Sequence, residues 1–411
     1  MKNSIIFLTI LAFIVILLQC KKSDNLPSQQ AADFSCEDSP VTCDLTASNG
    51  LFAIDLFKKV AEQKQEGNIF LSPFSISTAL TMTVNGAKGQ TYDDMNNTLK
   101  NKGMSQQSVN ESYQQLLEVL PALDPKTKLK LANSIWPKLD YPVLQSFLDL
   151  NRQYFNSEVK PVDFKNPGVI AEVNKWVEKN TDGLIKETLK ELPPDVVMLL
   201  INAIYFKGTW KTEFDPKDTH EAMFYTSTDS VTVDMMHIQE SDFAYFQTDL
   251  FQAIDLPYGD SIFSMSIFLP KEGHNVNEVI AELTPSNWDN WLSSFQPRPV
   301  ELFLPKFKME YEIKLKRTLS DMGMEIAFSD AADFSNMIGG GGVKIDEVIH
   351  KAFVEVNEEG TEAAAVTVVI IIETSAGSKT TVNVNRPFVF VIRDNKTNSI
   401  LFMGKVVNPN A

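Results

Sequence analysis

From about residue 46 to Ala411 no linker, charge run or low-complexity stretch interrupts the chain. Its apolar residues must therefore be buried in one large domain rather than shared among several. The hydrophobic periodicity changes along that domain. Residues 49–65 carry Leu51, Ile54, Phe57 and Val60 at helical spacing, residues 75–85 follow Pro73, and residues 169–180 place Val173, Trp176 and Val177 on one face. Residues 197–206, 251–257, 263–270, 300–305 and 388–407 read as strands instead, several with period-two alternation. The expected class is α+β, with a helical first half and strands gathered later.

The N-terminus is an address rather than part of that domain. Lys2 precedes an apolar run over residues 5–18, short for a bilayer span, which ends at Gln19-Cys20. Cys at that point resembles a bacterial lipoprotein signal, in which residues 1–19 are removed and Cys20 is lipidated; Gln19 departs from the usual small residue. A plain secretory signal and an N-terminal anchor are the alternatives. Residues 20–45 are polar, contain Pro27 and Pro40 and lack sustained periodicity, as expected of a tether. The expected location is the cell surface or periplasmic face, with secretion as the variant. Export leaves Cys36 and Cys43 as either a small local disulfide or two free thiols.

Charge and motifs exclude much. Lys and Arg total 37 against 53 Asp and Glu, a net charge of -16, which opposes nucleic-acid binding by counterion release. Three Cys make no disulfide framework, and the four His are too scattered for a metal motif. No cofactor is called for. The chain has no G-x-S-x-G, H-E-x-x-H or G-x-x-x-x-G-K-[ST], so a hydrolase is a distant reading. The run Gly339 to Gly342 reads as a surface loop, and His220-Glu221 as an exposed pair. Glu358 and Glu359 are adjacent and so diverge, which suits a turn or one salt-bridged carboxylate better than an acid/base pair.

The segment 358–385, EEGTEAAAVTVVIIIETSAGSKTTVNVN, is the most informative. Pattern alone makes it a long hairpin. That reading leaves unexplained why Gly360 is followed by Thr361, Glu362 and three alanines, a run with little bulk that makes poor glue and a good hinge.

Here the chain resembles the serpin family, over essentially everything after residue 46. The matching stretches are NIFLSPFSI at 68–76, NAIYFKGTW at 202–210, LPKF at 304–307, HKA at 350–352, NEEGTEAAA at 357–365, RPF at 386–388 and LFMGKVVNP at 401–409. The resemblance implies a serpin fold of three β-sheets with about eight or nine helices, and an exposed reactive-centre loop at about 358–385. It also implies a monomeric protease inhibitor, not an enzyme, whose cleaved loop enters the main sheet as a strand and traps the acyl-enzyme.

Site residues follow from the same resemblance. The hinge is Glu358, Gly360, Thr361, Glu362, Ala363, Ala364 and Ala365. The shutter is Ser72, Ser75, Asn202 and His350, and the breach is Trp210 with Lys306, the latter paired to Glu358. In an inserted strand Thr361, Ala363, Ala365, Thr367, Val369 and Ile371 would share one face, free of charge, while Glu362 points outward. Family spacing from Gly360 puts the cleaved bond between Thr374 and Ser375, with Ile372 and Glu373 as the other registers. Thr374 suits elastase-like or subtilisin-like serine proteases, with cysteine proteases as a further target class. The rival expectation is a non-inhibitory surface binding protein on the same scaffold.

Overall fold

The computed structural model describes residues 34–36, 39–192, 195–361 and 380–411. Among them are nine α-helices: α1 (Pro40–Gln63), α2 (Pro73–Val84), α3 (Gly89–Thr98), α4 (Gln106–Val119), α5 (Gln145–Phe155), α6 (Gly168–Asn180), α7 (Val276–Glu282), α8 (Pro285–Ser294) and α9 (Lys316–Leu319). α1 starts at Pro40, where a first-turn proline loses no hydrogen bond, and it buries Thr42 and Leu45. The tether expected to run to residue 45 thus gives way to the folded body by residue 40. Cys43, in this helix, is disulfide-bonded to Cys36 with the Cα atoms 5.6 Å apart, which decides between the two states left open above.

The central helix is α2. Ser72 caps it, its hydroxyl accepting from the Ser75 N–H at 3.2 Å. The helix is buried nearly all round although rich in hydroxyls, because Thr78 donates back to the Phe74 carbonyl at 2.7 Å and Thr81 to that of Ser77 at 2.8 Å.

Fifteen strands are seen among the described residues: β1 (Ile69–Leu71), β2 (Thr127–Pro137), β3 (Glu158–Val159), β4 (Met198–Thr209), β5 (His220–Tyr225), β6 (Ser230–Gln247), β7 (Phe251–Tyr258), β8 (Phe263–Pro270), β9 (Gln296–Pro305), β10 (Phe307–Lys314), β11 (Ile349–Asn357), β12 (Gly360–Thr361), β13 (Thr380–Asn383), β14 (Phe388–Asp394) and β15 (Ile400–Val406). They form a nine-stranded assembly, β1-β15-β14-β8-β7-β6-β9-β13 with β5 on β6, and a six-stranded sheet, β10-β11-β12-β4-β2-β3. The three sheets expected become two hydrogen-bonded assemblies here. The cause is β6, an 18-residue strand whose register against β9 breaks between Ile238 and Ser241, so that one strand runs through two sheets.

Residues 388–407 split into β14 and β15 at a turn. There the Asp394 carboxylate accepts from the N–H groups of Lys396, Thr397 and Ser399 at 3.0, 2.6 and 3.0 Å. Every residue of both strands is buried, which is why their sequences run apolar without alternating. A smaller cluster of Trp136, Val162, Val169 and Val173, with Leu199 and Ile201 against it, fastens α6 onto β2 and β4.

Candidate functional site

The site lies at one end of the six-stranded sheet. Gly360 and Thr361 stand between β11 and β4 and pair with both, Thr361 opposite Val356 on one side and Gly208 on the other. Among the described residues no ladder joins β4 to β11 directly. Gly360 has φ +153°, and a Cβ there would run into the carbonyl of Gly208 and lie 2.8 Å from the Thr209 Cα. Only glycine lets the chain turn into the sheet so close to β4.

Three side chains hold this entry point. Trp210 donates from its backbone N–H to the Glu359 carbonyl at 2.8 Å and from Nε1 to the Asn357 carbonyl at 3.0 Å. Its ring stacks on Tyr258 at 4.4 Å between centroids. The buried Tyr258 hydroxyl lies 2.6 Å from Thr361 Oγ1, and burial pushes its pKa well above the usual phenol value.

The two adjacent carboxylates diverge. Glu358 meets Lys306 Nζ at 3.2 Å and accepts from Thr219 at 2.9 Å. Burial pushes its carboxyl upward, but a hydrogen bond to backbone, Thr219 and Lys306 together outweigh that and hold it below the usual range. Glu359 Oε2 is buried without a hydrogen-bond partner. Neighbouring Glu213 is pushed up by burial and then by the charge of Glu359. Both readings of this pair hold: residues 358 and 359 form the turn between β11 and β12, and Glu358 is the single salt-bridged carboxylate.

Below the entry point Ile204, Tyr205 and Phe206 of β4 face Phe353, Val354 and Glu355 of β11 across a narrow cleft that Thr361 caps. At its far end the four shutter residues form one hydrogen-bonded chain. His350 Nε2 accepts from the Ser72 N–H at 3.0 Å, and the Ser72 hydroxyl donates to the Leu401 carbonyl at 2.8 Å. Ser75 donates to Asn202 Oδ1, and Asn202 donates to Asn133 Oδ1 at 2.7 Å. Burial holds the His350 imidazole down to about 4.

A family model described as serpin (serine protease inhibitor) matches residues 47–409. The chain belongs to the serpin family. It is 37% identical over 370 residues to the leukocyte elastase inhibitor of Xenopus laevis, with 87% of this chain and 97% of that one covered. Its fold is similar to the crystal structure of the thermophilic serpin tengpin in the native state, with TM-score 0.81, 34% identity and coverage of 89% and 94% of the two chains. It is equally similar to human thyroxine-binding globulin, with TM-score 0.81, 30% identity and coverage of 90% and 100%. Serpins are in general inhibitors of serine proteases rather than enzymes.

Of the serpin site residues expected from sequence, Glu358, Gly360, Thr361, Trp210 and Lys306 meet at the entry point, and Ser72, Ser75, Asn202 and His350 meet at the shutter. Glu362, Ala363, Ala364, Ala365, Ile372, Glu373, Thr374, Ser375 and Cys20 lie outside the described residues. Sequence reasoning missed Tyr258, Thr219 and Asn133. Tyr258 closes a strand that the pattern ends at Pro257, and nothing local marks a tyrosine there as the neighbour of a residue about a hundred positions away.

Proposed function

We propose that this serpin is a single-use inhibitor of elastase-like or broad-specificity serine proteases, including subtilisin-like ones, with cysteine proteases as a further class. The attacking Ser or Cys adds to the Thr374 carbonyl carbon. The bond from that carbon to the Ser375 nitrogen breaks, a proton passes to the new amino group, and an ester or thioester remains on Thr374. The freed chain then enters between β4 and β11 as a strand before water can cleave the acyl bond. Loop insertion is carried over here from the family, where it is the known mode of action.

The observation that supports this reading is β12. Two residues already ladder on both sides at the mouth of the cleft. In sequence the next positions on the Thr361 face, Ala363 and Ala365, are small and uncharged, so that face can be buried without an unpaired ion. Thyroxine-binding globulin has the same fold, so the fold does not separate an inhibitor from a binding protein. The hinge composition favours the inhibitor.

The test is incubation with pancreatic or neutrophil elastase, followed by a denaturing gel and mapping of the cut. A heat-stable covalent band with cleavage after Thr374 is expected. Plain digestion without a complex overturns the reading. We also propose that residues 1–19 are removed and that a lipidated Cys20 tethers the protein at the cell surface or periplasmic face. Mass spectrometry of the mature N-terminal peptide tests this, and an unmodified N-terminus beyond Cys20 refutes it.

A further inference from the structure

On another face, α3 and the turn that follows it enclose a surface cleft of about 400 Å³, within the range of small-molecule sites, roughly 300–1,000 Å³. Its wall includes Tyr92, Asp93, Asn96, Asn97, Asn101 and Lys102. Asn101 is the anomaly. It is 2% exposed, and both its Oδ1 and its Nδ2 are buried without a hydrogen-bond partner. A buried amide with neither group satisfied costs free energy comparable to lost hydrogen bonds.

Backbone hydrogen bonds fix the turn that carries this side chain. The Asn101 N–H donates to the Asn96 carbonyl at 2.9 Å, and the Asn101 carbonyl accepts from the Met104 N–H at 3.0 Å. Gly103, at φ +94°, completes the turn. A salt bridge of 2.6 Å between Lys100 and Asp55 pins the turn to α1.

A ligand that satisfies Asn101 must offer a donor and an acceptor on neighbouring atoms. Vicinal hydroxyls do this, each able to donate and accept. The other lining groups fit the same chemistry. Asn96 and Asn97 add amides, and Tyr92 adds an aromatic ring beside them. Asp93 and Lys102 carry opposite charges, so the cleft selects neither anion nor cation. We propose that this cleft binds a neutral saccharide, with Asn101 engaging a vicinal diol and Tyr92 lining the sugar face. The site lies apart from β4, β11 and β12, so the assignment stands independently of the inhibitory reading.

The test uses the whole exported chain, labelled with ¹⁵N, with cellobiose, chitobiose and triglycine as separate probes. Saturable shifts of the Asn101 side-chain amide with at least one disaccharide are expected. Asn101→Leu should weaken that binding at least tenfold without lowering the melting temperature, since it removes an unsatisfied buried amide, and should leave elastase-complex formation unchanged. Should Asn101→Leu fail to fold, Tyr92→Leu is the second variant, with the same loss expected. Three results overturn the proposal: no saturable shift with either sugar, undiminished binding by the folded variant, or a response to triglycine alone.

Discussion

Gly360 and Gly208 lie diagonally across the β12–β4 pair, Gly360 opposite Thr209 and Gly208 opposite Thr361, and each is held to glycine by a neighbour. A Cβ on Gly360 would collide with the backbone of residues 208 and 209, and one on Gly208 would lie 2.8 Å from the Tyr258 ring. These two positions set where the hinge can enter the sheet. His350 carries a different constraint. Because its Nε2 accepts from the Ser72 N–H, the folded state needs the neutral ring. Burial lowers its pKa to about 4 from an ordinary 6.5. An unfolded chain takes up the proton first, so the stabilisation from the neutral ring is complete above pH 6.5 and drains away as pH falls toward 4. The loss is on the order of 3 kcal/mol. Melting temperatures recorded across that range should fall with acid for the wild type. His350→Asn should flatten that component of the profile, and an unchanged slope in the variant would count against the assignment.

At the scale of the element, β12 is only two residues long and depends on what grips it. Its strongest side-chain link is the hydroxyl pair of Thr361 and Tyr258, both buried. Thr361→Val keeps the shape but strands the Tyr258 hydroxyl, at a cost of about 1–3 kcal/mol. Tyr258→Phe on top of it removes the stranded group and should return most of that loss. Denaturant unfolding of the two single variants and the double variant measures the coupling. Strict additivity would mean that the pair contributes nothing. Trp210, stacked on Tyr258, should report the same event by fluorescence, since it contacts the ring that grips β12 and its backbone N–H bonds the Glu359 carbonyl, one residue before β12.

For the molecule as a whole, the proposed mechanism makes the unbroken chain the less stable form. β4 and β11 are bridged among the described residues by β12 alone, and a full strand between them would complete the six-stranded sheet from end to end. Cleavage after Thr374 should therefore raise the melting temperature substantially, read by calorimetry on intact and nicked protein. An unaltered transition after complete nicking would contradict insertion. Much of this architecture was legible in advance. The helix over residues 169–180 and the strands over 251–257 and 263–270 are found within a residue or so at each end, because their periodicity reflects local burial that neighbours then reinforce. The start of α1 was not legible, since residues 40–45 gain their helical partners only when Thr42 and Leu45 pack inward. The sequence by itself determined the family and the glycine at the hinge, because those depend on residue identity at fixed positions. The Glu358–Lys306 pairing was an expectation of the family resemblance that the structure then placed at 3.2 Å. Only the tertiary structure decided that Tyr258 grips Thr361, that the Oε2 of Glu359 is buried without a hydrogen-bond partner and that Cys36 bridges to Cys43. Contacts of that kind depend on distances in space, which residue order does not encode locally.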